Sequence, residues 1–492
     1  MEMETTGESG WHNGDSGVAC VEPPEKPDET VSCSFIAERL LQSGLWKIPG
    51  HAEDEQRVWR ISPQPFELST ECAAVLERLG HALYSFYNAS NNLYLRGAFP
   101  WVNEYLDRGK PQYLIDYGRM NFQRRNLPVV IRPDIILTDD GGRITELDSV
   151  PGGIGLTDGL SHIYEQLGFS LLGGRRGMLR GFMQAMRSVF AQDREPTLGI
   201  MISEESEDYR SEMEWVASEA EKAGWTAFAM RPEEITFTED GLFFGEDGVR
   251  IEALYRFFEL FDLKNIPKAE LVMYAAKKKR VVVTPPYKAY LEEKSLLALF
   301  HHPLLEGYWR EEMGEDHYAM MMAFTPPTWI LDNRPAPPHT VIPGFSLHAR
   351  QINDWRAMKE AGQKERRLVI KPSGFSPLAW GSRGVVVGHD VSQEEWSGAV
   401  ERALDSFDTL PYVLQRFHEG KKYKVRYYNE RDAEVKDMWG RVRLSPYYVV
   451  SGGSVTLGGA LATICPLDKK LIHGMVDAVM VPCCVAPGKA QS

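Results

Sequence analysis

The chain has 492 residues, 43% hydrophobic and 25% charged, the make-up of a soluble globular protein with length for about three domains. A net charge of −14 argues against a nucleic-acid or other polyanion surface. Six cysteines without a CxxC pair exclude a disulfide scaffold or zinc ribbon, and no apolar run is long enough for a bilayer, so a cytoplasmic protein without membrane contact is expected.

Residues 1–31 hold eight acids against one base and are rich in Gly, Glu, Pro and Ser. They read as a disordered acidic tail rather than a signal or transit peptide. Folded character begins near Phe35. Ser69 is placed to cap a helix whose apolar stripe is Val75, Leu76, Leu79, Leu83 and Phe86. Residues 127–137 form an apolar strand, Asp140-Gly141-Gly142 turns the chain, and 143–148 returns as a second strand. A helix follows, with Leu156, Leu160, Ile163 and Leu167 on one face.

Residues 196–290 read as an α/β unit: a strand at 198–202, a helix ending at Gly224, and a strand at 225–230. Glu239-Asp240-Gly241 sits in a hairpin, and Lys277-Lys278-Lys279-Arg280 reads as a solvated helix end. From about 291 the pattern becomes α+β. A strand at 368–372 carries Lys371, residues 373–384 form a Gly- and Ser-bearing loop, and 385–388 returns as a strand. Strands follow at 412–417 and 423–428.

The common catalytic signatures fail: there is no GxxxxGK[ST], no GxSxG and no HExxH. Gly153-Ile154-Gly155 lies between strand and helix, as a dinucleotide loop would, but the third glycine is missing. A nicotinamide-dependent oxidoreductase therefore stands as an alternative reading.

Two constellations carry chemistry. Residues two apart on a strand share a face, so Arg132 projects with Asp134, and Glu146 with Asp148. The hairpin would crowd three carboxylates and a guanidinium on one surface, which suits a hard cation such as Mg²⁺. The second is Lys371 with the loop containing Ser373, Gly374, Gly381 and Gly384. A lysine at a strand end is a point charge for phosphate, and small residues let backbone N–H groups approach an anion. The strand around Gln415 would supply an adenine edge.

Together these features resemble the ATP-grasp superfamily in its circularly permuted form, and within it the glutathionylspermidine synthase-like group. The group's R-x-D-x11-E-x-N spacing is met at Arg132, Asp134, Glu146 and Asp148, with Asp in place of the final Asn. Pro151-Gly152-Gly153, Glu293-Lys294-Ser295-Leu296-Leu297, Pro327-Thr328-Trp329 and Ile370-Lys371-Pro372 look like further landmarks, so the likeness covers about residues 60–470. It implies an α+β and α/β, circularly permuted ATP-grasp fold with an inserted Rossmann-like pre-ATP-grasp unit. The corresponding division is a tail at 1–31, a metal-hairpin subdomain at 32–195, the inserted unit at 196–290, a lysine and lid subdomain at 291–420, and a return to the core at 421–492.

The implied activity is an ATP- and Mg²⁺-dependent ligase joining a small-molecule or peptide carboxylate to an amine through an acyl phosphate. Arg132 would meet the transferring phosphoryl group, and Asp134, Glu146 and Asp148 would hold the metal. Lys371 and its loop would bind phosphates, Gln415 would meet adenine, and Lys294 and Arg426 would be further phosphate contacts. The Asp148 departure leaves open a catalytically degenerate nucleotide-binding protein.

Overall fold

In the computed structural model, which describes residues 28–46, 59–335, 337, 340–379, 383–469, 471–472 and 477–486, the hairpin read from Asp140-Gly141-Gly142 pairs Val130–Thr138 with Gly141–Asp148. Gly141 has φ +102°, a backbone state that a side chain would resist. The register sets Arg132 opposite Asp148 and Asp134 opposite Glu146, with an irregularity between Asp134 and Ile135.

This hairpin forms one side of a seven-stranded sheet ordered Phe66–Leu68, Val479–Val485, Ser454–Pro466, Glu434–Ser451, Val130–Thr138, Gly141–Asp148. Lys422–Asn429 pairs with the first half of the long strand Glu434–Ser451, away from that path. Helices Thr70–Arg96, Ile154–Gln166 and Gly177–Phe190 pack on the sheet. The first is capped as expected, Cys72 N donating to Ser69 Oγ at 3.2 Å. It runs on past the apolar stripe to Arg96, nearly three turns beyond Phe86, because Tyr87, Asn91 and Tyr94 are buried too.

A second, all-parallel sheet is ordered Val282–Thr284, Ala253–Phe257, Leu198–Ile202, Ala227–Met230. A parallel sheet needs both faces covered. Leu198, Ile200 and Ile202 join the main core, whereas Met201 faces a separate cluster with Leu254, Val272 and Met273. One face of residues 196–290 thus belongs to the core of the whole chain.

A third sheet is antiparallel and ordered Thr328–Ile330, Tyr412–Arg416, Leu368–Pro372, Val386–Val387. Its own core holds Leu368, Ile370, Trp396, Val400 and Leu414. The return strand is two residues rather than the expected four, because Gly388 opens a short 3₁₀ turn.

The tail boundary differs from the expectation. A helix spans Glu29–Ser43, capped by Asp28 Oδ1, which accepts from Thr30 N at 2.8 Å. The cap and the buried stripe Cys33, Ile36 and Leu40 outweigh the polar composition of its first turn. The rest of the tail, residues 1–27, lies outside the described residues. Among the described residues no helix is long and apolar enough to cross a membrane.

Candidate active site

Strand register brings the first constellation together as ion pairs. Arg132 Nε lies 3.1 Å from Asp134 Oδ1 and Nη2 lies 3.0 Å from Asp148 Oδ2, while Nη1 donates to Gly152 O at 2.9 Å. Asp134 has two further partners from the adjacent long strand. Ser445 Oγ donates to Oδ1 at 3.0 Å, and Arg443 Nη1 lies 3.2 Å from Oδ2. Glu146 is held by Lys294, whose Nζ lies 2.6 Å from Oε1 and also donates to Ala379 O at 3.2 Å.

The electrostatics follow. Burial works against an ionised Asp134, but Arg132, Arg443 and the Ser445 hydrogen bond outweigh it and hold the carboxyl below its ordinary range. Burial pushes Asp148 up, and Arg132 offsets only part of this. Burial also opposes the charge on Lys294, yet Glu146 holds its pKa above the usual lysine value. Each of the three candidate metal ligands is thus neutralised by a cation of the chain. Among the described residues no three His, Cys, Asp or Glu side chains converge as a metal-holding group.

Lys371 points from its strand across to the hairpin. Its Nζ donates to Thr145 O at 2.8 Å and to Gln415 Oε1 at 2.9 Å. Burial pulls its pKa down to about 8. Gln415 Nε2 donates to Thr328 Oγ1 at 3.2 Å, so its side-chain amide is held between Thr328 and Lys371. Ser373 Oγ hydrogen-bonds Glu293 and lies 2.9 Å from Ser295 Oγ, in a buried cluster that also holds the Lys110–Glu293 ion pair. Gly374 packs on the backbone of the preceding segment: a Cβ there would lie 1.7 Å from Glu292 O. Gly384 packs on Pro372 and Leu378, and Gly381 lies outside the described residues.

Arg426 is not brought to this site. It pairs with Glu29 and sits opposite Asp437 in the outer strand pair. The alternation at 423–428 identified a strand without identifying its partner.

Two cavities meet here. One, of about 360 Å³, is bounded by the hairpin, Gly152-Gly153, Tyr209, Phe257, Phe258 and Tyr447. The other, of about 450 Å³, lies between the hairpin and the Lys371 sheet and extends to His418 and Lys469. Asp134, Glu146, Lys294, Ala379 and Arg443 line both. Their charges differ in sign. Among the described lining residues the first has seven Asp or Glu and three Lys or Arg, the second five and eight. Asp148 and Arg132 line only the first.

Sequence reasoning missed Arg443, Glu212 and Glu259. Arg443 alternates with Val442 and Leu444, a period-2 signal for a polar strand face. Glu212 accepts Gly153 N at 2.7 Å and Leu156 N at 3.2 Å, and burial pushes its pKa up to about 7. Its carboxylate occupies the helix start at 153–156 that a dinucleotide reading would use for a pyrophosphate. Glu259 lines the acidic cavity, its pKa raised by burial and then by Glu292 and Asp148.

No protein-family model and no curated protein matches the chain. Among solved structures, its fold is similar to a glutathione synthetase-like effector from Globodera pallida in apo form. The TM-score is 0.57 at 11% identity, over 93% of this chain and 98% of that one. A putative gamma-glutamylcysteine synthetase from Methylobacillus flagellatus aligns at TM-score 0.41 and 12% identity, over 84% of this chain and 89% of that one. The chain is a mixed α+β protein with several sheets, similar in fold to a glutathione synthetase-like protein.

Proposed function

We propose that the protein is an ATP- and Mg²⁺-dependent ligase that joins a carboxylate to an amine. Its proposed form is the circularly permuted ATP-grasp fold of the glutathionylspermidine synthase-like group, with residues 196–290 as the inserted unit. The observation that carries this reading is the meeting of a basic and an acidic cavity at Asp134, Glu146, Lys294 and Arg443. A cationic wall favours a triphosphate, and an acidic one favours an ammonium. The likeness to a glutathione synthetase-like fold agrees with it.

In this reading the basic cavity takes the nucleotide. Lys371 and Lys294 bind its phosphates as point charges, and residues 373–384 exclude water above them. The acid and the amine occupy the acidic cavity. A carboxylate oxygen of the acid attacks the terminal phosphorus and ADP leaves; the ammonium gives a proton to a carboxylate of the acidic cavity or to solvent, and the free amine attacks the acyl carbon as phosphate departs. The chain's part is positioning and charge stabilisation.

The donor chemistry fits Mg²⁺, which takes one or two carboxylates and completes its shell with phosphate oxygens and water. Asp134 and Glu146 would hold it, since both face the seam, while Asp148 lies on the acceptor side. Held by these two residues, Mg²⁺ would supply charge neutralisation for the phosphates.

The test is a matrix of amino acids, short peptides and polyamines as acids and amines, scored by nucleotide product and product mass. ADP and phosphate should form only with a matched pair, and ¹⁸O from the acid's carboxylate should appear in the phosphate. AMP with pyrophosphate would overturn the mechanism. The carboxylate–cation pairing at every metal candidate favours a second reading, a nucleotide-binding protein without catalysis. ATP binding without acid-dependent turnover would establish that reading instead.

A further inference from the structure

We infer that Arg443, rather than Arg132, is the guanidinium that meets the transferring phosphoryl group, an inference that rests on the ligase reading above. A phosphoryl group passing from nucleotide to acid must sit where their two cavities join. Arg443 lines both cavities, and Arg132 lines only the acceptor side.

The donors point the same way. Both terminal nitrogens of Arg132 are engaged, Nη1 with Gly152 O and Nη2 with Asp148, and Nε faces Asp134. Arg132 thereby straps the two hairpin strands to the turn at 151–153. The Nε of each arginine is buried without a hydrogen-bond acceptor, so the difference lies in the terminal nitrogens: Arg443 has one ion-pair partner among the described residues, Asp134, through Nη1. Its strand is fixed on both sides, with Ile136 opposite on one neighbour and Thr463 on the other. A guanidinium so placed offers a planar fork to two phosphoryl oxygens. Lys294, the other cation at the seam, offers only a point charge.

The step itself moves no proton to or from Arg443. The acid's oxygen forms a bond to phosphorus, the bond from phosphorus to the bridging oxygen breaks, and ADP leaves with that electron pair. Arg443 donates hydrogen bonds to the equatorial oxygens, where charge is spread as the bonds exchange.

The experiment measures binding of ADP, and of ADP with aluminium fluoride as a stand-in for the transferring phosphoryl group, to the full chain in magnesium buffer. Arg443→Ala should leave ADP affinity within about threefold of wild type and weaken the aluminium fluoride complex by roughly tenfold to a hundredfold, the range for a charged hydrogen bond. Free guanidinium should restore part of that loss, and Arg443→Lys should fall between the two. Arg132→Lys should instead lower the melting temperature and weaken both ligands equally. An unchanged aluminium fluoride complex in Arg443→Ala, or equal loss of both ligands without guanidinium rescue, would overturn the inference alone. Wild-type protein that binds neither ligand would overturn the ligase reading and the inference with it.

Discussion

Lys371 has an ammonium drawn out of water and held by two neutral oxygens, Thr145 O and Gln415 Oε1. With its pKa near 8, it is charged at neutral pH and loses its proton as pH rises through 8. ATP affinity should therefore fall above pH 8 in the wild type, and this fall should vanish in Lys371→Met. At pH 7 that variant should bind ATP about tenfold to a hundredfold more weakly, with adenosine affinity unchanged. The same burial affects stability in the opposite sense. Between about pH 8 and the ordinary lysine value of 10.5, the unfolded chain binds more protons than the folded one, so this group's unfavourable contribution is relieved as pH rises through that window. Calorimetric titration across pH 6–9.5 checks the binding, and urea melts check the stability. At the seam, Glu146→Gln should abolish most magnesium-dependent ATP binding. Asp148→Asn should be milder, because Asp148 faces Arg132 and Val150 N and lines only the acidic cavity. Equal loss in the two variants, measured as magnesium dependence of ATP affinity, would contradict that division.

Among the elements, the hairpin was the most legible, because a period-2 pattern and an Asp-Gly-Gly turn both act through neighbours in sequence. Its register put the four read residues in two facing pairs. What sequence could not supply was the third strand. Arg443 and Ser445 stand about 310 residues away and reach Asp134 only because Glu434–Ser451 lies beside the hairpin. Arg426 failed for the mirror reason: its strand was read correctly, but its partner is the half of Glu434–Ser451 that runs away from the seam. The segment after Lys371 was legible as a loop over the described residues 373–379, whereas its anchor was not. Gly374 reads as a phosphate-approach glycine, yet the structure packs it on the Glu292 carbonyl. Gly374→Ala should therefore act first on stability, by about 1–3 kcal/mol for overpacking against backbone. A lowered melting temperature in nucleotide-free protein checks this, and an unchanged one would locate that glycine's role in the ligand instead.

For the whole molecule, the three largest sheets among the described residues share the work unequally. The Lys371 sheet has a core of its own. The parallel sheet has one on a single face, around Met201 and Leu254, while the residues on its other face, Leu198, Ile200 and Ile202, belong to the central core. Sequence composition marks 196–290 as a unit because its βαβ pattern is complete within itself, but pattern does not report what covers the second face. Expressed alone, residues 196–290 should expose that face and fail to give a cooperative thermal transition, whereas the intact chain should melt cooperatively. Circular dichroism melts of fragment and full chain make the comparison.

The pairing of every seam carboxylate with a lysine or arginine sets an order of events. In the resting protein, Asp134 with Arg443 and Glu146 with Lys294 are closed couples. A lone divalent cation would have to pull a carboxylate from its partner and leave that partner's charge stranded out of water. A lone triphosphate would face the converse cost. On the ligase reading, Asp134 and Glu146 would hold the cation while Arg443 and Lys294 would turn to the phosphates, so metal and phosphate arriving as one body would leave no charge single. Magnesium chloride alone, at millimolar concentration, should thus give no binding heat, nucleotide without metal should bind weakly, and the two together should bind more tightly than the product of their separate affinities predicts.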